Sequence, residues 1–276
     1  MDKINFNEAE ILGALGRSGY LFESEISKML SEKGFFVETN TVIKDPITGK
    51  SREIDLIAEL YEANVDYKKN KCFTNVKYVF EIKNNSAPLV LLTEFENNPN
   101  IQDWEAFKQR ITIPPEMEDY FSSHYWDKIV MENKFSIFTQ YCSFQHKKNN
   151  AKDELMALHP DNIYEGLSKI SQYCEQKIKP EDNNEADQYF RLFLYLPILL
   201  ITDDLYELKY DEIKNPKLMK TECSLLLYNY HYENNPTMAY IFVVTKDGLP
   251  KLLNFMMETE KEIFEDLVER RKKGMK

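Results

Sequence analysis

Ser51-Arg52-Glu53-Ile54-Asp55-Leu56-Ile57-Ala58 and Lys77-Tyr78-Val79-Phe80-Glu81-Ile82-Lys83-Asn84 both alternate with a period of two. That is the pattern of strands with unlike faces. In the first run Ile54, Leu56 and Ala58 are expected on one face, with Glu53, Asp55 and Ile57 on the other. In the second, Tyr78, Phe80 and Ile82 share one face, and Val79, Glu81 and Lys83 the opposite one. As neighbouring strands, the two runs would bring Asp55, Glu81 and Lys83 together on one side of a sheet. Two carboxylates and an ammonium on an otherwise apolar strand pair are costly to bury unless they pair or bind an ion.

Upstream, Phe35 to Ile43 reads as a strand. Asp45-Pro46-Ile47-Thr48-Gly49-Lys50 supplies the turn that makes a hairpin with the Ser51 run. Asn7 to Lys33 reads as helical, with a break near Arg17-Ser18-Gly19. Its second piece carries an apolar stripe of Phe22, Ile26, Met29 and Leu30, and Gly34 ends it. Downstream, residues 95–132 read as an excursion from the main sheet, with a short helix over Trp104 to Arg110. Phe135 to Phe144 returns to strand composition. Lys152 to Lys177 reads as a helix that His159-Pro160 is able to split. Lys179 to Asp187 is the best linker stretch, and Leu192 to Thr202 is a continuous apolar run of the kind that forms a strand buried on both faces. Leu205 to Tyr210, Ser224 to Tyr232 and Met238 to Thr245 read as further strands, before a final helix from Gly248 to about Arg270. The expected architecture is one α/β (α+β-like) domain over residues 1–276, with a central mixed β-sheet flanked by helices.

The 276 residues are 43% hydrophobic, with 17 Tyr and 17 Phe, which indicates a folded chain with a sizeable core. Eight glycines and no Walker-type or dinucleotide fingerprint argue against a nucleotide-binding loop. A net charge of −11 argues against a nucleic-acid coat protein, though local basic clusters matter more than the total. Lys68-Lys69-Asn70-Lys71, Lys147-Lys148 and Arg270-Arg271-Lys272-Lys273 are such clusters, each also readable as a solvated face. Cys72, Cys142, Cys174 and Cys223 lack metal-ligand spacing and read as reduced thiols. The start Met1-Asp2-Lys3-Ile4-Asn5 has no signal-peptide layout, and the most apolar run is well short of the roughly 20 residues of a membrane helix. A cytoplasmic protein without membrane association is the expectation.

Glu23 on an early helix, Asp55 on a strand after a hairpin and Glu81-x-Lys83 on the next strand resemble the PD-(D/E)xK nuclease superfamily, the restriction endonuclease-like fold. The wording Gly19-Tyr20-Leu21-Phe22-Glu23, with Ile26, Met29-Leu30 and Gly34-Phe35, is most similar to the branch of modified-DNA restriction enzymes. The resemblance spans residues 19–84, and Ile54 stands where the family name has Pro. It implies a Mg²⁺- or Mn²⁺-dependent endonuclease acting on DNA, in bacterial defence, with core motifs in 19–84; the excursion at 95–132 would then be an insertion in that domain. Asp55 and Glu81, with the Ile82 carbonyl, would hold the metal. Lys83 would orient the attacking water or meet the phosphate, and Glu23 would hold a metal-bound water or a second ion. Mg²⁺ prefers hard oxygen ligands and keeps several waters, which suits two carboxylates.

Plainer readings stand beside these. Asp55, Glu81 and Lys83 could form a salt-bridge cluster on an exposed sheet face, or belong to a catalytically inactive nuclease fold serving as a protein-interaction scaffold. Glu25 has the stronger case as a solvated helix charge, and Glu53 as solvated or paired with Arg52. Gln140 and His146 could approach substrate. Asp203-Asp204 reads as a turn or cap, and Tyr228 to Tyr232 as a strand with aromatic cross-strand partners. An acidic nuclease would need a basic groove, a homodimer or a partner protein to hold DNA.

Overall fold

A computed structural model of the chain describes residues 7–45, 48–64, 71–95, 107–112, 127–132, 135–149, 152–178, 189–210 and 215–273. The helices are α1 (Glu8–Ser18), α2 (Tyr20–Glu32), α3 (Asp161–Ile178) and α4 (Leu249–Lys272), with a π-helical turn at Asp127–Met131. The strands are β1 (Phe36–Lys44), β2 (Ser51–Asn64), β3 (Lys71–Lys83), β4 (Leu89–Glu94), β5 (Lys108–Thr112) and β6 (Ile137–Asn149). They continue with β7 (Lys152–Leu158), β8 (Tyr189–Ile201), β9 (Leu205–Tyr210), β10 (Pro216–Thr221), β11 (Cys223–Tyr232) and β12 (Asn235–Thr245).

The entry into the fold is set by local chemistry. The Asn7 side chain accepts from the Glu10 N–H, and the Glu10 carboxylate accepts from the Asn7 N–H, both at 2.9 Å, so two otherwise orphaned donors at the start of α1 are satisfied. At Gly19 the backbone turns left-handed (φ 91°), which ends α1 and starts α2 where the break is expected. Phe22, Ile26 and Leu30 of α2 are buried against the sheet.

That sheet is mixed, with order β1-β2-β3-β8-β12-β11-β6-β4-β9-β10. In addition β5 pairs with β8, and β7 pairs with β6. At its centre β8 runs parallel to β3 from Lys71↔Tyr189 to Lys83↔Ile201. Its other edge pairs first with β5, antiparallel, and then with β12, parallel. A strand with partners on both edges and helices on both faces has to be apolar throughout, which is why Leu192 to Ile201 reads as a continuous apolar run. One face packs Leu56, Tyr78, Phe80, Leu196 and Ile198 under α2 and α4. The other packs Ile57, Val79, Leu199 and Ile201 under Ile163, Leu167 and Ile170 of α3. The fold is therefore mixed α/β, a large central sheet flanked by helices. Among the described residues no helix is long and apolar enough to cross a membrane.

Three expectations are corrected. The helix expected over 104–110 gives way to β5 from Lys108 onward, so the segment expected as an excursion contributes a strand to the main sheet. Residues 104–106, like the 179–187 linker, lie outside the described residues. Lys152–Leu158 is a strand of a two-stranded hairpin, and the helix starts only after Pro160. Leu155 is 57% exposed there, so no core rewards a helical periodicity before Pro160. The alternation of β2 also breaks. Ile54 packs with Ile57 on the α3 face, while Leu56 and Ala58 pack on the opposite one. Across from this break, between the pairs Thr39↔Leu56 and Thr41↔Ile54, Asn40 adopts a left-handed conformation (φ 54°).

Candidate functional site

The β2/β3 ladder ends at Leu56↔Phe80, while β3 stays paired to β8 as far as Lys83↔Ile201. Beyond that fork the Ile82 N–H needs another acceptor. It donates to Asp55 Oδ2 at 2.8 Å, so the Asp55 carboxylate stands in for the missing strand partner. Two residues along the same face as Val79, Glu81 is 2% exposed and points at α3. Lys83 Nζ lies 2.5 Å from Glu81 Oε1.

A second lysine completes the cluster. Lys169 of α3 places Nζ 2.9 Å from Asp55 Oδ1 and 2.5 Å from Glu81 Oε2. The approach of helix to carboxylate depends on Gly166, one turn earlier. A Cβ at that position would sit 2.6 Å from Glu81 Cγ and Oε1 and 2.7 Å from Cδ. Burial acts to lower the Lys169 pKa, but the Glu81 and Asp55 charges and their hydrogen bonds outweigh it, so the ammonium is held above its ordinary value.

Glu23 lies in the first turn of α2, its N–H bonded to the Gly19 carbonyl. Its pKa is raised, first by burial and then by the Asp55 and Glu81 charges, with Lys169 and Lys83 offsetting part of the effect. Asn84, directly after Lys83, ties this corner to the sheet by donating to the Gly16 carbonyl at 2.9 Å and the Arg17 carbonyl at 3.3 Å. Glu25, the rival on the same helix, is instead paired with Lys246 at 2.7 Å on the outside.

Comparisons with protein-family models, curated proteins and solved structures return no significant match. The chemistry of the cluster thus rests on its own residues. Asp55, Glu81 and Lys83 converge as their spacing predicts, and Glu23 is within electrostatic reach of them. Among the described residues no group of three or more His, Cys, Asp or Glu is arranged to hold a metal. The donors present are two carboxylates, and Glu81 Oε2 is buried with no hydrogen-bond partner beyond its ion pair. A hard cation that keeps its own waters needs no more than one or two such carboxylates. The backbone of Ile82 is tied to Asp55 through its N–H.

Sequence reasoning missed Lys169. It sits between Leu167 and Ile170 on a helix whose stripe is Ile163, Gly166, Leu167, Ile170 and Tyr173. A glycine in mid-helix beside a lysine on an otherwise apolar stripe was the available signal.

The other residues singled out lie elsewhere. Thr93 Oγ1 donates to Gln140, and His146 is exposed on the β6–β7 hairpin. Arg52 pairs with Asp45 at 2.6 Å and not with Glu53, while Asp204 pairs with Lys220 at 2.6 Å in the turn region after β8. Tyr228 and Tyr230 stack on each other at 6.1 Å, and the Tyr228 hydroxyl meets Ser168 Oγ at 2.6 Å, so both serve the core. In the final basic run Arg270 pairs with Asp266, Lys273 with Glu269, and Arg271 stacks over Phe190. Lys68 to Asn70 lie outside the described residues. Grooves of about 500 Å³ at the start of α4 and about 550 Å³ beside Asp45 and Tyr232 include none of the cluster residues.

Proposed function

We propose that the chain is a metal-dependent nuclease of the PD-(D/E)xK type with a restriction endonuclease-like core, hydrolysing phosphodiester bonds in DNA within the cytoplasm. The convergence of Asp55, Glu81 and Lys83 where β2 and β3 part carries this reading. Asp55 and Glu81 would hold Mg²⁺ or Mn²⁺, with the Ile82 carbonyl beside them. The cation would supply charge neutralisation at phosphorus and a more acidic water. Lys83 and Lys169 present ammonium groups that favour an anionic phosphate at the same place. Glu23, its pKa raised by burial and by the Asp55 and Glu81 charges, would hold a metal-bound water or a second ion beside them. With a net charge of −11, the protein would hold DNA through a dimer or a basic partner as well as through this site.

One observation favours a second reading. Both oxygens of Glu81 and one of Asp55 are already ion-paired to lysines of the protein itself. A catalytically inactive fold acting as a protein-interaction scaffold would keep such a self-neutralised cluster.

Cleavage of plasmid and single-stranded DNA with Mg²⁺ or Mn²⁺ separates the two, comparing the parent with Asp55→Ala and Lys83→Ala. Metal-dependent cutting by the parent, lost in both variants, is the expected result. A folded parent that cuts nothing points to the scaffold, and cutting that survives both substitutions rejects the site.

A further inference from the structure

We infer that Lys169 is a built-in counter-cation of the Asp55–Glu81 pair, placed so that its ammonium and a divalent cation compete for the same two oxygens. The inference rests on the metal-dependent reading of the site. Each carboxylate has one oxygen committed to a group on β3: Asp55 Oδ2 to the Ile82 N–H, and Glu81 Oε1 to Lys83. The oxygens left over, Asp55 Oδ1 and Glu81 Oε2, converge on one point, and Lys169 Nζ sits there at 2.9 and 2.5 Å. A cation that bridges the two carboxylates through these oxygens has to displace that ammonium.

The origin of Lys169 makes the exchange feasible. Asp55 and Glu81 are carried on the strands β2 and β3, whereas Lys169 reaches them from α3 on a flexible four-carbon stem. Its withdrawal breaks no sheet hydrogen bond. Once displaced, the ammonium lies beside the site and is free to meet a phosphate oxygen. Metal uptake and the arrival of an anionic substrate are then coupled through one side chain, each favouring the other.

The test is Mn²⁺ titration by calorimetry, without nucleic acid, on the parent, Lys169→Met, Lys169→Gln and Lys169→Arg. Removing a positive charge in contact with both carboxylates is expected to tighten Mn²⁺ binding at least about tenfold in the Met and Gln variants. The Arg variant keeps its charge and the weak parental affinity. Without metal, the Met variant should melt below the parent, because buried Glu81 and half-buried Asp55 lose their shared partner. Should it fail to fold, the Gln variant, which keeps a hydrogen-bond donor, supplies the same comparison. Equal or weaker Mn²⁺ binding in the uncharged variants overturns the competition while leaving a metal site in place. An absence of Mn²⁺ binding in the parent and in every variant removes the metal-dependent reading itself.

Discussion

Replacing Gly166 with alanine tests the contact between α3 and the candidate site through the sign of its effect. On an exposed helix surface, Gly→Ala is worth about 1 kcal/mol of added stability, because alanine restricts the unfolded chain and favours the helix. Here the new methyl carbon would stand 2.6–2.7 Å from three atoms of Glu81, well inside contact distance. Glu81 has little room to yield, since it is 2% exposed and held by Lys83 on one oxygen and Lys169 on the other. Overpacking of this kind costs about 1–3 kcal/mol, and loosening a buried ion pair adds to it. The clash less the helix gain leaves about 0–2 kcal/mol, and the loosened ion pair adds about 1 more, for a net loss of about 1–3 kcal/mol. In a chain of 276 residues, each kcal/mol moves the melting temperature by about 2 °C, so Tm should fall by roughly 2–6 °C. Thermal unfolding followed by far-ultraviolet circular dichroism reads this directly. The double variant Gly166→Ala/Glu81→Ala should recover most of the loss relative to Glu81→Ala alone, as contacting residues do in a double-mutant cycle. A rise in Tm for Gly166→Ala alone would refute the close packing of α3 on Glu81.

Other outcomes follow from the same structure. Glu260 of α4 is 1% exposed, and burial, followed by repulsion from Glu62, pushes its pKa up to about 8. The folded state thus holds a proton that the unfolded chain releases near 4.5, so its stabilising contribution is full below about pH 4.5 and is lost as pH rises through 8. The loss is at most roughly 5 kcal/mol. Urea midpoints between pH 5 and 9 should fall for the parent, whereas Glu260→Gln should flatten this dependence, and an unchanged slope would count against the buried acid. Within the proposed nuclease activity, Glu23→Gln should reduce cleavage by at least about tenfold, as loss of an outer-shell partner does, while Glu25→Gln leaves it unchanged. Equal effects of the two substitutions would remove Glu23 from the site.

Much of the site was legible because it is local. Glu81 and Lys83 stand two apart on β3, where a period of two places them on one face, and Asp55 lies on the strand that precedes it by one connection. The paired stretch of α2 was legible for the same reason, from Phe22, Ile26 and Leu30 and from the glycines at either end. A short strand with neither alternation nor a strong apolar run, such as β10 (Pro216–Thr221), was not legible. Leu218 and Met219 of β10 are both exposed, so burial imposes no pattern on that edge strand.

The chain by itself thus determined which residues are strands around the site, that Glu81 and Lys83 share a face, and where α1 hands over to α2, because these follow from backbone periodicity and the conformational freedom of glycine. Tertiary structure decided the rest. Asp55 is able to accept the Ile82 N–H because β2 parts from β3 at Leu56. The ammonium that neutralises the pair comes from a residue 114 positions beyond Asp55. No local periodicity reports a contact across such a separation. It forms because a helix carrying a glycine, and therefore no side-chain obstacle, packs down on the one buried carboxylate of β3.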